Sequence, residues 1–227
     1  MPSRTVNTDN CGYLLAAVVC ISMKKILPFL VVTLLSACDA PRATETSDPA
    51  ALRGTAAPIA TATPVSFRKE LSEGDHRFVL QTTGEGSRRR LELRVEKGGK
   101  ELSTNTQTVE GTVEDAIVTN LNNDRFPELL IFITDAGSGS YGQLLGYEFL
   151  NQGRRTLSLP ELSGPAAQGY QGHDTFRVEG QEVVRSFPIY LDADANCCPS
   201  GGQRVVHYSL PAGSVVFQQT DFRNQVR

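Results

Sequence analysis

Tryptophan is absent from this sequence, histidine occurs only three times, and no apolar run is long enough for a comfortable membrane span, which needs about 20 residues. His76, His173 and His207 lie too far apart to make a metal-ligand spacing, so each reads as a strand or loop surface residue. No Lys/Arg cluster is broad enough for a nucleic-acid footprint. The densest, Arg88-Arg89-Arg90, follows Gly84-Glu85-Gly86-Ser87 and reads as the solvated shoulder of a hairpin. A formal net charge of −3 suits a cationic partner. No nucleophile elbow, no nucleophile–base pair and no cofactor motif is present, so enzymatic chemistry is not expected. The acidic residues Asp135, Asp192 and Asp194 border loops and read as solvated carboxylates.

What is present begins with targeting. Met23-Lys24-Lys25 and the apolar stretch Ile26–Leu35 form a charged segment joined to a short hydrophobic one. They end in Leu35-Ser36-Ala37-Cys38, which resembles a bacterial lipobox. The resemblance implies that 23–37 is a lipoprotein signal peptide and that Cys38 carries the lipid. The protein is then expected in the periplasm, anchored to the inner or outer membrane. Residues 1–22 hold a second apolar run and read as an over-extended start. From 38 to 64 the chain is rich in Ala, Thr, Pro and Ser and has too few large apolar residues to offset its ordering entropy. It is expected to be a flexible tether reaching on the order of 30 Å r.m.s..

Of the five cysteines, Cys11 and Cys20 precede the expected cleavage point and Cys38 is the lipidation residue. Cys197 and Cys198 remain, adjacent to each other, and an oxidising compartment favours a disulfide. Three arrangements are open: a vicinal bridge, two free thiols, or bridges between chains. The tight-loop signals Asn196 and Pro199-Ser200-Gly201-Gly202 favour the vicinal bridge.

Residues 65–227 read as one all-β domain. Leu91, Leu93 and Val95 alternate with Arg90, Glu92, Arg94 and Glu96, the period of a half-buried strand. Short runs of the same kind occur at 76–82, 113–119, 129–134, 143–149, 154–159, 175–178, 182–187, 204–210 and 214–219. Glycine, asparagine and proline signals separate them. With no helical periodicity between them, they predict an antiparallel β-sandwich or flattened barrel. A short helical turn is expected around 160–168.

Two loops are candidates for function. Asn120, Asn122 and Asp124 place oxygens at alternate positions, with Glu128 four residues on. The spacing resembles calcium loops of β-propeller repeats and dockerin modules, which take oxygens from alternate residues. Arg125, however, stands where such loops want glycine, and an Asx-turn explains the same residues. Only this segment is a calcium candidate.

The second loop, Asp135–Gly142, follows the very apolar run Leu129–Ile133. Its glycines permit close backbone approach. Ser138, Ser140 and Tyr141 supply hydroxyls, and Tyr141 adds an amphipathic ring of the kind enriched at interface hot spots. Ser138-Gly139-Ser140-Tyr141-Gly142, after an apolar strand in an exported β domain, resembles the inhibitory loop of the periplasmic inhibitors of invertebrate-type lysozyme. The similarity runs through 120–149 and, more faintly, 194–210. It implies a β-sandwich that commonly forms a homodimer, with the loop inserted in the lysozyme's active-site cleft and Ser138 and Tyr141 making the key contacts. The adjacent cysteines are not part of that pattern. Alternatives from other classes are an envelope lipoprotein of the same fold without a lysozyme target, and a calcium-dependent carbohydrate or adhesion module.

Overall fold

The computed structural model describes residues 63–226. Residues 1–22, the expected signal peptide at 23–37, Cys38 and all but the end of the tether lie outside the described residues. What is described is nearly all β, in three four-stranded antiparallel sheets, each a meander of consecutive strands. Sheet I holds β1 (Val65–Glu73), β2 (His76–Thr83), β3 (Arg88–Lys97) and β4 (Lys100–Glu110). Sheet II holds β5 (Thr112–Thr119), β6 (Glu128–Thr134), β7 (Gly142–Phe149) and β8 (Arg154–Leu157). Sheet III holds β9 (Thr175–Glu179), β10 (Glu182–Pro188), β11 (Gln203–Ser209) and β12 (Gln218–Gln225). The sandwich expectation therefore holds, and none of these sheets closes into a barrel. Within 160–168 the expected turn is a 3₁₀ turn at Gly164–Ala167.

Strand β6 explains the layering. Leu129–Ile133 are all buried, and successive side chains of a strand point to opposite faces. Leu129, Ile131 and Ile133 join a core with Phe78, Leu80, Leu91 and Leu93 of sheet I. Leu130 and Phe132 join a second core with Val183, Phe187, Val206 and Tyr208 of sheet III. Sheet II is thus the middle layer, and a strand covered on both faces reads as a continuous apolar run. Burying each of these five side chains contributes about 1.5–3 kcal/mol, which holds β6 between the two cores.

The sheet edges depart from the sequence reading. β1 and β4 carry no expected strand, and the run placed at 214–219 is displaced, because β12 occupies Gln218–Gln225. In β4 the half-buried positions are Ser103, Asn105 and Gln107, polar residues that hide the strand period. β12 turns one large apolar side chain, Phe222, toward the second core. His76 is a further correction: it is buried at the start of β2, and burial lowers its pKa. His207 is half-buried on β11 against Glu182, while His173 is an exposed loop residue as expected. Arg88 and Arg90 are exposed, in keeping with a hairpin shoulder.

Candidate functional site

The loop between β6 and β7 is a hairpin connection with internal structure. Thr134 pairs with Gly142, and the Asp135 N–H donates to the Tyr141 carbonyl at 2.9 Å. The Asp135 carboxylate accepts from the Gly137 N–H at 2.6 Å, an Asx-turn. Ser140 N–H donates to the Gly137 carbonyl at 3.0 Å, and Ser140 adopts a positive φ of 43°. Tyr141 is 44% exposed and Ser138 is exposed, while Gly139, Ser140 and Gly142 are half-buried. Among the described residues the hydroxyls of Ser138, Ser140 and Tyr141 have no hydrogen-bond partner.

A second segment, Gly169–Asp174, buttresses this tip. The His173 N–H donates to the Gly139 carbonyl at 2.7 Å. Gly172, with φ of 93°, brings its backbone so close to the Gly139 carbonyl that any Cβ would overlap it. Gly139 itself leaves room for the Tyr141 ring, which a Cβ there would strike. The Tyr141 ring also meets that of Tyr170, centroids 5.7 Å apart and planes at 74°, a favourable T-shaped contact.

Beneath the tip lies a buried polar knot. Asp174 and Arg185 form an ion pair at 2.6 Å with side chains 0% and 8% exposed. The Asp174 Oδ2 also accepts from the Gly142 N–H at 2.8 Å and from the Tyr170 hydroxyl at 2.7 Å. Arg185 Nη2 donates to the same Tyr170 oxygen at 2.6 Å and lies over the rings of Tyr170, Phe176 and Phe187. Burial, reinforced by Asp174, pushes the Tyr170 phenol far up, so it remains a donor at neutral pH. The carboxylate is thereby shared between the loop backbone, the tyrosine and the arginine. An anion buried this way persists because each of its bonds is charge-assisted.

The loop Asn120–Glu128 is arranged inward. Asp124 N–H donates to Asn122 Oδ1 at 3.0 Å and Phe126 N–H to Asp124 Oδ1 at 2.6 Å. The Asn120 amide donates to the Asp124 carbonyl. Asn122 Nδ2 donates to Glu148 Oε1 at 3.0 Å, and Glu148 is paired with Arg155. Glu128 is fully buried and accepts from the Leu121 N–H at 2.9 Å. Burial, with Asp124 and Glu148 nearby, raises its pKa to about 7. Most of the candidate calcium oxygens are therefore engaged in an Asx-turn; Asn120 Oδ1 and Glu128 Oε1 lack partners. Among the described residues no group of three or more His, Cys, Asp or Glu side chains is placed to hold a metal ion.

Cys197 and Cys198 are joined by a disulfide on an exposed loop. Of the loop acids, Asp135 and Asp194 hold backbone amides and Asp192 is exposed. Asp174, Arg185, Tyr170 and Gly172 escaped the sequence reading. The one signal for them was an arginine inside the apolar run Val183–Phe187, since an arginine at a buried strand position requires an anionic partner from elsewhere in the fold. No model of a known protein family matches the chain, and no curated protein matches it.

Proposed function

We propose that this protein binds and inhibits lysozyme, most closely in the manner of the inhibitors of the invertebrate type. The tip Ser138–Tyr141 enters the enzyme's active-site cleft. It acts as a binding protein and not as an enzyme, held in the periplasm by a lipid on Cys38 with 38–64 as the tether. The observation that carries the reading is the tip with exposed Ser138 and Tyr141, whose hydroxyls no described residue engages, backed by a braced hairpin on a strand buried in both cores.

The chemistry is consistent with that role. A lysozyme works with two carboxylates flanking the scissile bond. Hydroxyl donors that reach them form charge-assisted hydrogen bonds, each roughly twice as strong as a neutral one. The Tyr141 ring fills space that sugar and water otherwise occupy. Because the tip is tied down at Gly139, Gly142 and Asp135, little ordering entropy is lost on binding.

The decisive experiment is a lysis assay. The purified protein is expected to block cell-wall lysis by an invertebrate-type lysozyme at near-stoichiometric amounts. Replacing Ser138→Ala and Tyr141→Ala together is expected to weaken inhibition by at least about 100-fold, the loss of a hot spot, with little change in Tm. Undiminished inhibition by the double variant sinks the loop mechanism.

A further inference from the structure

We propose that the partner-binding surface is composite: the loop Leu191–Pro199, carrying exposed Leu191 and the Cys197–Cys198 disulfide, forms a second rim that contacts the same lysozyme as the tip. The inference rests on the lysozyme-binding reading and deepens it. Its starting point is area. A specific protein–protein interface buries on the order of 800 Å² per partner, contributed by roughly 20–30 residues. The tip Ser138–Gly142 is too small to supply this, so further contact surface has to adjoin it.

A continuous path of contacts leads from the tip to the rim. His173 is bound to Gly139 through its N–H, and its ring stacks on Tyr190, centroids 6.4 Å apart and planes at 26°. Tyr190 in turn donates its hydroxyl to the Asn196 carbonyl at 3.0 Å, and Leu191 is the next residue along the chain. Exposed His173 therefore bridges two loops that are remote in sequence, and the three segments share one end of the domain.

The rim is ordered from within. Asp194 Oδ2 accepts from the N–H groups of Leu191 at 2.7 Å and Ser200 at 2.8 Å, and its Oδ1 accepts from the Ser200 hydroxyl at 2.7 Å. Cys198 N–H donates to the Ala195 carbonyl at 2.8 Å. The disulfide between adjacent cysteines closes a small covalent ring that removes backbone freedom. Leu191 is 54% exposed. A single exposed leucine on a mobile loop needs no explanation. Here it is held out to solvent on a fastened loop, in series with exposed Tyr141, and fastening a loop in advance lowers the entropy lost when it binds. Exposed Asp192 beside Leu191 defines the complement: an apolar side chain flanked by a cation, just outside the enzyme's carboxylate-lined groove.

The test places a photo-crosslinking benzophenone amino acid at position 141, 191 or, as a remote control on β4, 102, in separate preparations. Each is irradiated with members of a lysozyme panel that includes the invertebrate type. Adducts to one lysozyme from 141 and 191, and none from 102, are expected. An adduct from 141 without one from 191 overturns the composite surface and leaves lysozyme binding standing. Adducts from 191 alone overturn the composite surface and the tip as the inserted element, and adducts from all three positions, or from none, overturn lysozyme binding as well. As a second measurement, Leu191→Asp is expected to weaken inhibition about tenfold with an unchanged melting midpoint, and unaltered inhibition overturns the rim.

Discussion

The loops at the two ends of β6 are built from similar small polar residues and dispose of them in opposite ways. Ahead of the strand, Asn120–Glu128 turns its amides and carboxylates inward, where they bond one another, the backbone and Glu148. Behind it, the tip ties the Ser140 N–H and the Tyr141 and Gly139 carbonyls within the turn and to His173, and engages none of its hydroxyls with the described residues. The contrast teaches that polarity alone does not mark a functional loop. The destination of the hydrogen bonds does: a loop whose side chains consume one another is structural, and one that keeps them spare has something to offer a partner.

That comparison can be broken at its supports. Asp174→Ala strips the tip of the acceptor for Gly142 and leaves Arg185 buried without its anion, a change expected to cost about 3–5 kcal/mol. Urea denaturation measures the loss, and amide hydrogen exchange at Gly142 is expected to accelerate with it. Unaltered exchange would show that the tip stands without its brace.

On the inward side the largest effect depends on pH. Glu128 has its pKa raised from 4.5 to about 7 in the fold, so the folded protein holds a proton that the unfolded chain releases. The stabilising effect of that proton is complete below pH 4.5, declines as pH rises, and is gone above about 7, a swing of about 3 kcal/mol. Glu128→Gln keeps an acceptor for the Leu121 N–H and removes the titration. The variant is therefore expected to gain thermal stability at pH 8, little or none at pH 4, and to flatten the profile between; an unchanged pH profile refutes the assignment.

The smallest effect sharpens the contrast most directly. Asn122→Ala deletes the bonds to Asp124 and Glu148 and is expected to cost about 1 kcal/mol in a denaturant titration. The proposed lysozyme inhibition is expected to stay intact, because that loop lies at the opposite end of β6 from the tip. A parallel loss of inhibition would mean that the two loops act together.

Much of this organisation was legible in the residues. Alternation at Leu91, Leu93 and Val95 marked β3, and the unbroken apolar run Leu129–Ile133 marked β6. The edges were not legible, because β4 presents Ser103, Asn105 and Gln107 to the half-buried side, and an edge strand needs less apolar surface than a central one. The tip was visible as a glycine- and hydroxyl-rich segment after a strand. Its brace was not, since Asp174, Arg185 and Tyr170 come from separate places in the chain and acquire meaning only when folded against Gly142.

By itself, then, the order of residues determined the local chemistry: which of the apolar runs are strands, where the chain turns, and which loop is rich in hydroxyls. These depend on side-chain period and turn preference, which act over a few residues. Tertiary structure alone decided that sheet II lies between two cores, that Glu128 is buried without its full complement of bonds, and that the 138–141, 169–174 and 191–199 segments meet at one end. Those outcomes follow from burial and pairing between distant residues, and neither has a signature along the chain until the sheets have packed.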